Sequence, residues 1–234
     1  MEPAPSDENP PPLPGHFFPP IQERHHGMRR ELTHPQTMPS IVEPADYLCE
    51  MENGYEAVLR YLLPLPLRAG SMDVFRIADL HRCLYEKLYR DAGKLRGPED
   101  HPMFGGRWGK DYLEVPALLV QLARTPLTHA VGWTAPPTSE ADYSERLVFV
   151  ANYHASLVML HPFRDGNGRL ARAITWWQEI CLFLTPLQTM PRVAYFTGLE
   201  ALPGDMRLLF NFFLMRHGLP VSCLDPLPPL FPVW

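Results

Sequence analysis

The chain holds 234 residues, 46% of them hydrophobic and 20% charged, enough apolar material for a core and too much for a wholly disordered polymer. Its formal charge of −5 excludes a strongly basic nucleic-acid binder. Apolar runs such as Ala117–Val120 and Ile180–Leu184 fall far short of the roughly 18 residues of a membrane span, so no membrane partner is expected.

The first residues, Met1-Glu2-Pro3-Ala4-Pro5-Ser6-Asp7-Glu8, lack the basic start and apolar stretch of a secretory signal peptide. Cys49, Cys83, Cys181 and Cys223 stand far apart with no C-x-x-C, which suggests reduced thiols and neither a zinc site nor a disulfide framework. A cytoplasmic protein is the expectation, with export by a specialised secretion system left open.

Proline sets the ends apart. Of 28 prolines, eleven lie between Pro3 and Pro44 and five between Pro220 and Pro232. Proline fixes φ and removes a donor, so neither end suits a helix or a central strand. Residues 1–44 read as an extended, polyproline-like arm, 45–218 as the folded domain, and 219–234 as a proline-rich tail. The tail's Leu224, Leu227, Leu230, Phe231 and Trp234 are expected to pack back on the domain. His16, His25, His26 and His34 in the arm read as solvated, because a flexible arm seldom offers convergent metal geometry.

The domain is helical in pattern. A helix is expected over Tyr55–Leu63, ended by Pro64. A second runs over Val74–Arg90 with Asp73 as N-cap and Val74, Ile77, Ala78, His81, Leu84 and Leu88 on one face. The stretch 93–113 is different. It holds Gly93, Gly97, Gly105, Gly106 and Gly109, and Gly105-Gly106 between Met103-Phe104 and Arg107-Trp108 suits a short hairpin. Further helices are expected over Pro116–Arg124, Tyr143–Leu160 (capped by Asp142 and Glu145), Arg169–Leu184 and Asp205–His217, the last stopped by Gly218. His81 and His154 fall on apolar faces and read as satisfied core residues, and Trp176-Trp177 as one ring in and one out. No alternation of strands and helices supports a doubly wound sheet, so the class is all-α with one small β-hairpin.

One segment carries chemistry: His161-Pro162-Phe163-Arg164-Asp165-Gly166-Asn167-Gly168-Arg169-Leu170-Ala171-Arg172. Gly166-Asn167-Gly168 lets the backbone turn and present bare N–H groups at a helix N-terminus, where an anion is favoured. Arg169 and Arg172, three apart, share a face, and guanidiniums donate bidentately to phosphate oxygens. Asp165 is a hard oxygen ligand suited to Mg²⁺ bridging phosphates. His161 can take a proton near neutral pH. Base, metal ligand, anion nest and charge clamp are thus present, but the loop has no Ser, Thr or Cys, so the attacking hydroxyl belongs to a substrate. Gly166-x-Gly168-x-x-Ala171 also fits a loose dinucleotide fingerprint, but the acidic residue wanted about 20 positions on is missing around Leu187–Val193. The bland alternative is a turn between two packed helices with solvated arginines.

The string resembles the Fic family signature H-x-F-x-(D/E)-G-N-G-R-x-x-R, matching at every specified position, and Leu88–Arg96 looks like the segment leading into that family's substrate-docking flap. The likeness runs from about Tyr55 to Gly218. It implies an all-α domain with a β-hairpin flap and a protein adenylyltransferase that moves AMP from ATP to a Ser, Thr or Tyr hydroxyl of a target, releasing pyrophosphate. By resemblance His161 is the general base and Asp165 holds Mg²⁺. Gly166, Asn167 and Gly168 form the anion hole, Asn167 and Arg169 contact phosphate oxygens, Arg172 holds the γ-phosphate, and Phe163 anchors the nucleotide-binding loop. The target protein would add to the flap between Gly97 and Leu113. Two other readings stay open: the same fold with a UMP, phosphocholine or phosphate donor or with AMP removal, and a silent protein-binding module.

Many members of that family are restrained by an (S/T)-x-x-x-E-(G/N) helix whose glutamate pairs with the second signature arginine. Glu52-Asn53 supplies the last two letters, but Leu48 stands at the first, and neither Glu179 nor Glu200 fits after Arg172. The resemblance therefore leaves restraint by Glu52, restraint by a separate inhibitory partner protein, or none.

Overall fold

The computed structural model describes residues 36–67, 72–100, 103–104, 107–108, 110–124, 133–187 and 190–220. The histidines of the N-terminal arm and the apolar residues of the tail lie outside the described residues, as does Cys223. Among the described residues seven helices follow one another: α1 Pro44–Leu62, α2 Val74–Tyr85, α3 Val115–Arg124, α4 Glu140–Leu160, α5 Asn167–Cys181, α6 Arg192–Glu200 and α7 Arg207–Arg216. Between α2 and α3 lies the expected hairpin. Its strands β1 Met103–Phe104 and β2 Arg107–Trp108 are antiparallel, with Met103 opposite Trp108 and Phe104 opposite Arg107. The class is all-α with one small hairpin, as the patterning indicates.

The core centres on α4. Every residue from Phe149 to Leu160 is buried, so this helix is enclosed rather than amphipathic. It packs against α5, α7 and α3, while α1 covers α2 and α5, and α6 lies on α7. Each fully buried Leu, Ile, Val or Phe contributes about 1.5–3 kcal/mol. The chain that leaves the C-terminal end of α4 therefore starts from the most firmly held part of the fold. No described helix is long and apolar enough to cross a membrane.

Several boundaries depart from the sequence reading, each for a local reason. α1 begins at Pro44, not Tyr55. The proline that looked like the end of the arm is the first helical residue, where its missing N–H costs nothing. The Glu43 N–H is accepted by the Asp46 carboxylate at 3.0 Å, and Tyr47, Val58, Leu59 and Leu62 turn inward. α2 ends at Tyr85 rather than Arg90, because Leu88–Arg90 pairs with the end of the arm: Met38 N–H donates to Leu88 O (2.8 Å) and Arg90 N–H to Gln36 O (2.9 Å). The N-cap of α4 is Ser139, whose hydroxyl accepts the Asp142 N–H at 3.1 Å; the Asp142 carboxylate reaches back to the Thr138 N–H instead of forming a box with Glu145. α5 starts at Asn167 and ends at Cys181, and Trp176 and Trp177 are both buried, the second donating its indole N–H to Leu65 O at 2.8 Å. α7 starts at Arg207 and stops where Gly218 adopts a positive φ of 70°, with Leu219 N–H donating to Leu214 O. α6 was not anticipated.

Candidate active site at the α4–α5 turn

His161 is the C-cap of α4 and has left-handed backbone angles (φ 49°, ψ 58°), a conformation that costs a non-glycine residue about 1–2 kcal/mol. Its Nδ1 lies 3.2 Å from Val158 O, which fixes the tautomer with Nδ1–H donating and Nε2 as a proton acceptor. Burial holds the imidazole below its ordinary value of 6.5, against the opposing pull of the Val158 carbonyl and the Asp165 carboxylate. The ring is therefore a neutral base at neutral pH.

The turn after it is tied down from three sides. Phe163 is fully buried, and its ring stacks on His81 with centroids 3.9 Å apart and planes 13° apart. Asn167 holds the Phe163 backbone at both ends: its Oδ1 accepts Phe163 N–H at 2.9 Å, and its Nδ2 donates to Phe163 O at 2.7 Å. The Asn167 side chain is thus committed to shaping the loop, which leaves its backbone N–H for the expected phosphate contact. Arg164 makes a bidentate pair with Asp91 (2.8 and 3.1 Å) and lies over the Tyr89 ring. His81 accepts Gly93 N–H at Nδ1 (2.9 Å), so its Nε2–H donates to Asp165 O (3.0 Å). This residue is satisfied in the core, as read from the sequence, and it also supports the loop.

Asp165 points its two oxygens at separate donors. Oδ1 accepts Gly166 N–H at 2.6 Å, and Oδ2 accepts the Tyr89 hydroxyl at 3.2 Å. Tyr89 in turn lies 3.0 Å from the Tyr47 hydroxyl, so an ordered phenol pair from the α2–flap connection and α1 orients the carboxylate. Gly166 is the N-cap of α5 with φ 78°, and a Cβ there would come within 2.0 Å of the Tyr85 ring. Only glycine satisfies both the angle and the space.

The turn meets the expectations for an anion site. Among the described residues the backbone N–H groups of Asn167 and Gly168 find no protein acceptor, as is usual for the first residues of a helix, and they sit at its positive end. A Cβ built on Gly168 would lie 3.3 Å from Nη1 of Arg172, so that guanidinium folds over the turn. Arg169 donates to the Tyr85 hydroxyl at 2.6 Å and lies over its ring. His161, Asp165, Gly166, Gly168, Arg169 and Arg172 are therefore gathered around one bend. Glu52 is not among them: it is exposed on α1, and no ion pair of Glu52 occurs among the described residues.

The residues that sequence reasoning missed are supporting ones. Arg96, 6% exposed, donates from Nε to His161 O (2.8 Å), from a terminal nitrogen to Lys110 O, and from its backbone N–H to Pro162 O (3.0 Å). It joins both stems of the hairpin to the backbone of the base. Its place in the Gly93-x-x-Arg96 run was the available signal. Tyr47, Tyr85 and Tyr89 carried none beyond being aromatic, since a phenol on an apolar helix face reads as core.

Comparison with known proteins agrees with this fold. Residues 71–178 match the Fic/DOC family. The protein adenylyltransferase VbhT of Bartonella schoenbuchensis is 28% identical over 129 residues, which are 54% of this chain and 25% of that protein, so the matched region is a quarter of that relative's length. Among solved structures, BepC, a VirB-translocated effector of Bartonella tribocorum with bound AMPPNP, superposes with a TM-score of 0.58 at 16% identity, covering 82% of this chain and 98% of BepC. A Fic-1 fragment from C. elegans superposes with a TM-score of 0.56 at 21% identity, covering 81% of this chain and 54% of that fragment. At these identities the structural likeness is one of fold.

Proposed function

This chain carries a Fic/DOC-family domain, and from that premise we propose that the α4–α5 turn transfers AMP from ATP to a hydroxyl of a protein side chain. The observation that carries the reading is the juxtaposition, within one bend, of a neutral imidazole with an accepting Nε2 and a helix N-terminus overlain by a guanidinium. An adenylyltransferase relative and an AMPPNP-bound structural neighbour support ATP as donor.

In this reading His161 Nε2 accepts the hydroxyl proton as the oxygen bonds to the α-phosphorus. The bond from that phosphorus to the β-bridging oxygen breaks, and pyrophosphate leaves. The N–H groups of Asn167 and Gly168, with Arg169 and Arg172, offset the charge on the phosphate oxygens. Because these donors are fixed by the turn, little reorganisation accompanies the reaction. Phe163, fully buried, serves the nucleotide site by holding the loop.

Asp165 fits a magnesium site of the shared kind. Among the described residues no cluster of three or more His, Cys, Asp or Glu could cage a metal, whereas Mg²⁺ on nucleotides takes one or two carboxylates plus phosphates and water. Each oxygen of Asp165 accepts a single hydrogen bond, leaving lone-pair capacity. When bound, the ion would neutralise phosphate charge.

The target is proposed to add as a strand to the β1–β2 hairpin, which Arg96 fastens to His161. The test is intact-mass spectrometry of the protein, alone and in a lysate, after incubation with ATP and Mg²⁺. One added adenylyl group per modified hydroxyl is expected, with at least about a hundredfold loss in His161→Ala. A phosphate, uridylyl or phosphocholine mass would reassign the donor. No added mass on any protein with any of these donors would overturn the transferase reading.

A further inference from the structure

His161 sits where α4 ends, so no helical hydrogen bond fixes its carbonyl. Pro162, next in the chain, has no N–H with which to close a turn. Arg96 supplies what the helix end lacks. Its Nε–H donates to His161 O at 2.8 Å and its backbone N–H to Pro162 O at 3.0 Å, so one residue grips two successive carbonyls at the base. A terminal nitrogen of the same guanidinium donates to Lys110 O, two residues past β2. The side chain thus spans the gap between the exit stem of the hairpin and the residue that carries the imidazole.

The grip matters because the ring's own tether is weak. The contact from Nδ1 to Val158 O, 3.2 Å, is at the long end of the N–H···O range. The left-handed backbone at His161 persists only where its surroundings hold it. The place of the imidazole therefore follows from the backbone beneath it. Arg96 is also a costly residue to bury. Among the described residues no carboxylate lies within ion-pair distance of it. Burial holds its guanidinium below the ordinary arginine value, with Asp100 and Asp111 on the two stems pulling the other way. Burying a cation without an ion pair is a poor way to add stability. A rigid fork that donates to two carbonyls in set directions is a good way to fix where they lie.

We propose that Arg96 is a positioning residue for the AMP transfer: its guanidinium, anchored on the hairpin stem at Lys110 O, holds the His161 backbone and through it the imidazole that takes the proton. The proposal rests on the reading of His161 as base and adds a residue from outside the 161–172 segment. Among the described residues its hydrogen bonds go to His161, Pro162 and Lys110 and to none of the phosphate-facing groups of α5, so its effect falls on the rate and not on nucleotide affinity.

The test compares Arg96→Gln and Arg96→Lys with the wild type as full chains. Neither substitution removes the backbone N–H that holds Pro162 O, so the loop keeps that tie. The single-turnover labelling rate at saturating ATP and Mg²⁺, measured well below each variant's melting temperature, is expected to fall about 10–100-fold in Arg96→Gln and less in Arg96→Lys, as a misplacement of about 1 Å would cause. ATP affinity by calorimetry stays within about twofold of wild type, a split that a general loss of structure does not produce. Nitrogen NMR of the histidine rings, with His161→Ala to assign the base, is expected to show one Nδ1–H tautomer for His161 in the wild type and a tautomer mixture in Arg96→Gln, with His81 and His154 unchanged. Should Arg96→Gln fail to fold, Arg96→Lys, which keeps a cation at the site, decides alone. A rate within about twofold of wild type with unaltered His161 ring signals overturns the proposal, as does ATP affinity that falls as far as the rate. A wild type that labels nothing overturns the transferase reading, and the ring signals then decide by themselves whether Arg96 places the imidazole.

Discussion

The imidazole of His81 lies parallel to the ring of Phe163, 3.9 Å away, while its two nitrogens join Gly93 N–H to Asp165 O. One histidine of α2 thus fixes the loop's aromatic anchor, the carbonyl of its carboxylate residue and the chain leading to the hairpin. Such a ring serves only when neutral. Burial lowers His81 to about 4 and His154 to about 3 from 6.5. The unfolded chain then binds more protons than the native one between those values, so stability is complete above about pH 6.5 and is lost as the pH falls through 6 towards 4. Urea titrations across pH 4–7 check this: the acid slope corresponds to about two extra protons on unfolding from this pair, and His154→Gln removes about one.

Gly166→Ala would place a methyl group inside the Tyr85 ring at a φ of 78°. Left-handed strain and the clash together cost about 2–4 kcal/mol, which corresponds to a melting temperature lower by roughly 5–15 °C. Because Tyr85 also receives the Arg169 guanidinium, labelling activity is expected to fall further than stability alone requires. Activity assayed well below the variant's own melting temperature separates the two effects.

The α4–α5 bend was legible because each of its residue types has a chemical reason to be there in that order, and α3, α4, α5 and the hairpin followed from apolar spacing and a Gly-Gly pair. What escaped was whatever depends on contacts distant in sequence. Leu88–Arg90 has a helical pattern and leaves the helix only because residues 36–38 offer it backbone partners. α6, with Val193, Tyr195, Phe196, Thr197 and Gly198, has weak intrinsic helix preference and is stabilised by packing on α7. The part that the Asn167 side chain plays in shaping the loop also escaped: a buried amide must be satisfied, and it is satisfied by the Phe163 backbone. Arg96, His81 and Tyr89 act on the loop from 65 to 84 positions away, a separation no local pattern encodes.

In the proposed transfer His161, as base, sets the acid limb. Burial lowers His161 below 6.5, so it stays unprotonated, and able to take a proton, at pH values where an exposed histidine is half charged. The labelling rate is therefore expected to hold as the pH falls through 6.5 and to decline only below it. A decline centred at or above 6.5 in single-turnover assays at saturating ATP would show that the ring is solvated or is not the base.

Tyr89→Phe removes the hydroxyl that orients Asp165 Oδ2 and leaves the buried Tyr47 hydroxyl without that partner. Outer hydrogen bonds of this kind change metal affinity by about 10–100-fold. The Mg²⁺ concentration for half-maximal labelling is expected to rise about tenfold, with the rate recovering at high Mg²⁺. A rate that stays low at every Mg²⁺ concentration would place the effect on folding, and Tyr47→Phe/Tyr89→Phe, which removes both hydroxyls, identifies how much of that comes from the orphaned phenol.

Glu52 matches the inhibitory pattern only in part, and in the structure it is a surface residue of α1. Its Glu-Asn pair fits the end of an inhibitory pattern, whereas its side chain is exposed on α1, with no ion pair to it among the described residues. Tyr55, one turn further on in α1, has Arg172 in its charge environment. A solvated glutamate that does not reach Arg172 cannot displace a terminal phosphate from it, and an exposed pair would contribute only about 0–1 kcal/mol even if formed transiently. Glu52→Ala is therefore expected to leave both self-labelling and ATP affinity within about twofold of wild type. A rise of tenfold or more in self-labelling would show that α1 rotates to bring Glu52 over the turn, and restraint would then belong to this chain rather than to a partner protein.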